Sequence, residues 1–161
     1  MSNILKALLH HEEVLQFNRF DSEIAWRLGS WIVNKARQEE LPIALDITVG
    51  GRCLFHYSSN GASLDNVGWI ERKKRTVHRF KRSSYYMGRL LADRGRSAQE
   101  EFYLDEAVYC FHGGGFPIIL KGTGPIGIIT VSGLTEKEDH NLAVEGLAWI
   151  LRKRDQVTPI P

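Results

Sequence analysis

Apolar and polar positions change period several times along this chain, and each change marks an element. From Asn3 to Gln16, apolar residues recur at Ile4, Leu5, Leu8, Leu9 and Leu15, the spacing of a short amphipathic helix. Asp21 or Ser22 can cap a second helix whose inward stripe is Ile24, Ala25, Leu28, Trp31, Ile32 and Ala36, with Pro42 at its stop. The period then drops to two. Ile43, Leu45, Ile47 and Val49 share one face of a strand, with Ala44, Asp46 and Thr48 on the other. Gly50-Gly51 suits a tight hairpin, and Arg52–Tyr57 returns as its second strand. Asp65 or Asn66 can cap a long helix through Lys81, in which Trp69, Ile70, Lys73, Thr76, Val77 and Phe80 fall on one face. Ser83 or Ser84 restarts a helix that ends at Gly95, and Ser97-x-x-Glu100 opens one more short turn.

Three short apolar runs hinged by glycine follow: Val108–His112, Phe116–Lys121 and Ile126–Ser132. Thr135-x-x-Glu138 then caps a final helix that faces inward through His140, Ala143, Val144, Leu147, Ile150 and Leu151. Two pairs of strands have no helical crossover, so the pattern predicts an α+β fold with a five-stranded antiparallel sheet covered by helices. The tail from Gln156 to Pro161 is expected to be loose or to dock on a neighbouring subunit. No repeat or linker divides the 161 residues, which fit one domain with a core from about 17 to 152.

Composition narrows the function classes. A chain that is 43% hydrophobic and 25% charged is an ordinary globular protein, and a net charge of +2 gives little pull toward nucleic acid or a membrane. No apolar run reaches spanning length and the N-terminus does not read as a signal peptide, so the cytoplasm is the expected location. Cys53 and Cys110 then read as buried reduced thiols. The seven Lys and Arg between Arg72 and Arg82 are the one strong charge run. Trp69 and Phe80 lie on the apolar stripe instead of alternating with them, which argues against base stacking.

Chemistry concentrates near His112-Gly113-Gly114-Gly115-Phe116-Pro117. A glycine triplet can turn backbone amides toward a carboxylate or phosphate, or it can serve a bulged hairpin for geometry alone. The P-loop lysine and the dinucleotide-fold spacing are both missing. His112, His140 and Lys73 form the one cluster of titratable groups expected inside the core layer. His10 and His11 read as surface residues. No spacing of cysteine or histidine suits a structural zinc, and no serine-elbow motif occurs.

The motifs GGRCLFHYSSNG, DNVGWIERKKRTVHRFKRSS, HGGGFPI and GIITVSGL followed by EDH resemble, in order, the UPF0303 family. That family is a branch of the GlcG/HbpS-like, or haem-degrading domain, group. The resemblance runs from about Phe17 to Leu151 and implies a profilin-like α/β/α sandwich, assembly into dimers or higher rings, and haem or a related ligand. It places Gly114, Gly115, Phe116, Pro117 and Ile118, then Val131, Ser132 and Gly133, then Asp139, then Lys73, Thr76, Arg79 and Phe80 on family motifs. The expected ligand site is Trp69, Lys73, Thr76, Phe80, Gly113 to Pro117, Asp139, and His112 and His140 as imidazole candidates. An oligomeric binding protein for a tetrapyrrole or small anion is the leading expectation. An enzyme acting on haem or a small carboxylate, and a partner-docking role for the basic helix face, are the alternatives.

Overall fold

The computed structural model describes residues 1–161. The chain runs α1 (Asn3–Val14), β1 (Gln16–Phe17), α2 (Ser22–Gln38), β2 (Ala44–Val49), β3 (Arg52–Ser58), α3 (Leu64–Phe80), α4 (Ser84–Arg94), α5 (Ala98–Phe102), β4 (Gly115–Leu120), β5 (Gly124–Ser132) and α6 (Glu136–Leu151). The five strands form one sheet in the order β1-β4-β5-β2-β3.

That sheet is mixed. β4, β5, β2 and β3 pair antiparallel, but β1 lies parallel to β4, with Gln16 opposite Ile119. The expected fully antiparallel sheet is corrected on this point. Val108–His112 is not a strand either: the Cys110 amide donates to the Arg72 carbonyl of α3 at 3.1 Å, so this backbone is tied to a helix. Its apolar side chain Phe111 fills a satellite cluster with Met87, Leu91, Ala98 and Leu104.

The two faces of the sheet differ. Leu45, Ile47, Phe116, Ile118, Ile129 and Val131 point one way, into the main core formed with α2 and α6. The other face carries Asp46, Thr130 and Ser132, all buried, under α3. The inward stripe of α3 answers with Ile70, Lys73, Thr76 and Val77. The polar alternation along β2 therefore faces a helix whose own stripe is half polar.

Local signals in the sequence match most element ends. Asp21 caps α2, Ser83 caps α4, and Gly95 closes α4 in the left-handed region. Ser97/Glu100 and Thr135/Glu138 both form capping boxes. The α3 cap is Ser63, in a box with Asn66, and not Asp65 or Asn66 themselves. Gly50 and Gly51 take φ of 58° and 78° and join β2 to β3 directly.

Three further expectations are overturned. The tail is not loose: the Ile160 amide and carbonyl both bond the Asn141 side chain at 2.9 Å, and Ile160 is buried beside Leu8 and Tyr85. His11 is buried, not on the surface. Cys53 is exposed; Cys110 is buried, and both are free thiols.

Candidate functional site

Asp139 lies in the first turn of α6, directly after the turn that carries β5 into the helix. Its Oδ1 accepts the Leu134 amide at 3.0 Å, and its Oδ2 accepts Lys73 Nζ at 3.0 Å. Lys73 also donates to the Val131 carbonyl at 2.9 Å. Both side chains are about 3% exposed, so the pair is buried and its hydrogen bonds decide whether it is tolerated. Burial pushes the Asp139 carboxyl up to about 6, and the nearby Lys73 ammonium only partly offsets this.

The glycine triplet makes room for this pair. A methyl on Gly114, whose φ is +133°, would stand 2.7 Å from Lys73 Nζ and against the Val131 carbonyl. A methyl on Gly115 would stand 2.9 Å from Val77 Cγ2, and one on Gly113 would strike the Glu136 carbonyl. All three glycines are buried, and the Gly115 amide is spent on Ser84 Oγ at 2.9 Å. Close approach of helix to strand accounts for the triplet.

His112 stands exposed just before it. Its ring stacks on Trp69 with centroids 5.7 Å apart and 16° between planes. The Trp69 indole donates to Asp65 at 3.2 Å and lies under the Arg72 guanidinium at 4.3 Å. Trp69, Lys73, His112 and Asp139 line one recess of about 240 Å3, completed by Asn66 and the Ser132–Leu134 turn. A second recess of about 250 Å3 adjoins it, lined in part by Arg89 and Arg96. His112 and Glu136 belong to both and form the ridge between them. The Nε atoms of Arg72 and Arg89 are buried without a hydrogen-bond partner.

The remaining expected residues lie elsewhere. Thr76 is fully buried, and its hydroxyl stays within α3, donating to the Arg72 carbonyl at 3.4 Å. Phe80 packs on Phe102 and Phe111 in the satellite cluster. Phe116 and Pro117 are buried in β4. His140 points away from the recess into the opposite side of α6, among Tyr85, Phe116 and His11. The expected meeting of His140 with His112 and Lys73 does not occur, because residues adjacent on a helix diverge by about 100°.

His140 belongs to a sealed imidazole pair. His11 Nε2 donates to the Thr158 carbonyl at 2.8 Å, which leaves His11 Nδ1 to accept from His140 Nε2 at 3.2 Å. His140 Nδ1 then has no partner. Burial holds both imidazoles neutral, His140 down to about 3. Arg89, Arg96, Asn66 and Glu136 were not expected at the site. The Ser63/Asn66 box was a visible signal for Asn66; nothing in the local pattern marks the others.

A family model described as "Haem degrading protein HbpS-like" matches residues 20–148. A UPF0303 protein of Rhizobium meliloti is 42% identical over 151 residues, covering 94% of this chain and 92% of the relative. The crystal structure of Ybr137w protein superposes with a TM-score of 0.85 and 36% identity, over 96% of this chain and 90% of that one. The crystal structure of a PduOC:heme complex has a TM-score of 0.66 over 80% of this chain and 93% of that one; at 17% identity it is a likeness of fold.

Proposed function

This chain belongs to the HbpS-like family, within its UPF0303 branch, and from that premise we propose that it binds haem or a related planar tetrapyrrole at the His112 ridge. The single observation that carries this reading is His112 itself, an exposed imidazole between two recesses. Neither recess alone reaches the size usual for a drug-sized ligand, so a large planar molecule would lie across both. The residues present fit such a group. His112 would hold the iron through a ring nitrogen, and Trp69, stacked on that imidazole, would fix its direction. Arg89, on the wall of the second recess, would meet a carboxylate, while Arg96 beside it is already held by Glu101 at 2.9 Å. Bound haem supplies a redox-active iron. The chain's part is to orient the ring, and the Lys73–Asp139 pair holds the floor of the first recess in shape.

We read the protein as a homo-oligomer, supported by Trp26, 62% exposed beside Phe55 at the unpaired outer strand β3. Sedimentation of wild type and Trp26→Ser tests this; a monomeric wild type would overturn it. Only Arg75, Arg79 and Lys81 of the basic run are exposed without an acidic partner, which narrows the docking reading to them. Lys73 is buried, Arg72 covers Trp69, and Lys74 and Arg82 have acidic partners.

Haem titration tests the main reading. Wild type should shift the Soret band, His112→Ala should abolish the shift, and His140→Leu should retain it. An unshifted band with wild type, or equal spectra for wild type and His112→Ala, would overturn it. One observation favours a second reading, catalysis: a carboxyl held near 6 exchanges its proton close to neutral pH. Loss of the Soret band over time under air with a reductant, slowed in Asp139→Asn, is its signature.

A further inference from the structure

Arg72, Arg75, His78 and Arg79 of α3, and Lys81 at its C-cap, have no acidic partner; of these, Arg75, His78 and Lys81, all exposed, line one cleft. Arg75 has one polar contact, to the Val108 carbonyl at 3.3 Å. With Lys74 they stand on one flank of the helix, one and two turns apart. Lys74 is already neutralised by Asp46 and Glu71, each 3.3 Å away. Along the cleft, the uncompensated charge is therefore that of Arg75 and Lys81.

These side chains overlook a cleft of about 440 Å3 between α3 and the hairpin end of β2 and β5. Its floor is apolar: Val77 and Ile128 are buried, and Pro125 and Ile126 are half-buried. Its far wall carries no side chains. Gly50 and Gly51 form it, with no atom within 4 Å of where a Cβ would stand on either. The Gly50 amide donates to the Ile126 carbonyl at 3.1 Å and holds that wall against β5. Gly127 lets β5 approach β2, since a methyl there would lie 2.6 Å from Val49 Cγ2.

A cationic rim over an apolar floor selects against most alternatives. Inorganic phosphate would leave the floor wet, and a hydrocarbon would leave the rim without a counter-charge. No Trp, Tyr or Phe lines the cleft, so it offers no platform for a nucleic-acid base. We propose that this cleft is a second small-molecule site, distinct from the His112 ridge, and that it takes an amphipathic anion: a carboxylate on a compact acyl or aryl body. The carboxylate sits at Arg75 and Lys81, and the body lies on Val77, Ile126 and Ile128.

The test uses the full chain with octanoate as probe, followed by amide NMR and by displacement of anilinonaphthalene sulfonate fluorescence. Octanoate should shift the Gly50, Gly51 and Gly127 amides and displace the dye; octylamine and phosphate at equal concentration should do neither. Arg75→Gln with Lys81→Asn should weaken octanoate about five- to tenfold while leaving the thermal midpoint unchanged, as expected for two exposed charges. Asn is chosen because Lys81 has φ of +55°, which Asn tolerates. His112→Ala should leave octanoate binding intact, which separates this site from the ridge. Shifts confined to Gly133 and Leu134, equal binding of octylamine, or full affinity in the double variant would each overturn the proposal.

Discussion

Asp139 and His140 are neighbours in sequence and both are buried, yet they have opposite duties. Asp139 is charged, paired with Lys73, and borders a recess that opens to solvent. His140 is neutral, half-satisfied, and closed in by aromatic rings, α1 and the tail. A buried charge is kept only where its partners are complete, and here they also shape an opening. A buried neutral imidazole needs one good partner, and here that partner ties down the chain ends. Burial alone therefore does not identify a site; what lies on the far side of the polar group does.

Breaking the pair on the Asp139 side should have the largest effect. Lys73→Met leaves a buried carboxylate without its cation and should lower stability by about 3–5 kcal/mol in urea at neutral pH. Lys73→Met with Asp139→Leu should recover most of that loss, because no charge is then stranded. A double variant as unstable as the single would mean that the pair's bonds to Val131 and Leu134 matter more than its charge.

The His140 side should yield less. His140→Leu loses one hydrogen bond and strands His11 Nδ1, a cost of about 1–2 kcal/mol. Its specific mark is faster amide exchange in the tail around Thr158, read by mass spectrometry, with the recess unaffected. Faster exchange at Gly133 and Leu134 as well would dissolve the contrast.

Acid titration separates the buried carboxyls from the buried imidazole by sign. Burial raises Asp139 from 3.8 to about 6 and Glu12 from 4.5 to about 7, so the folded chain keeps these protons longer than the unfolded chain does. Their contribution is full in acid and declines as pH rises toward those values. Burial lowers His140 from 6.5 to about 3, so the unfolded chain takes up that proton first, and stability is lost as pH falls through the same range. The opposed slopes flatten the wild-type profile. His140→Leu removes one of them, and its urea midpoint should fall as pH rises between 3.8 and 6.5. A curve parallel to wild type would refute the neutral imidazole. The smallest effect belongs to His10, whose exposed bond to the Gln156 carbonyl is 3.0 Å long; His10→Ala should stay within about 0.5 kcal/mol by thermal melt.

Much of the fold was legible in the sequence because capping and turn chemistry act over three or four residues. Gly50-Gly51, Thr135/Glu138 and Ser97/Glu100 needed no tertiary knowledge. β1 was invisible, since a two-residue strand has no period to read. Val108–Phe111 has the apolar density of a strand but spends it on α4 and α5. Of the candidate site, Trp69, Lys73, His112 and Asp139 do meet, because the α3 stripe and the turn into α6 carried those residues as a pattern. His140 lies one helical step past Asp139, on the side away from the recess, and Phe80 lies two turns beyond Lys73 against Phe102 and Phe111; no sequence period resolves which part of a helix face will open. His11 depended on a contact with residues more than a hundred positions away.

The anchored tail has a mechanical consequence. Ile160 packs with Ile4, Ala7 and Leu8, so the first and last stretches of the chain lie against each other. A pull applied at the two termini would load the bonds of Thr158 and Ile160 before any strand of the sheet. Those few links would yield one after another, and the α/β body would feel the force only once α1 and the tail had been peeled away.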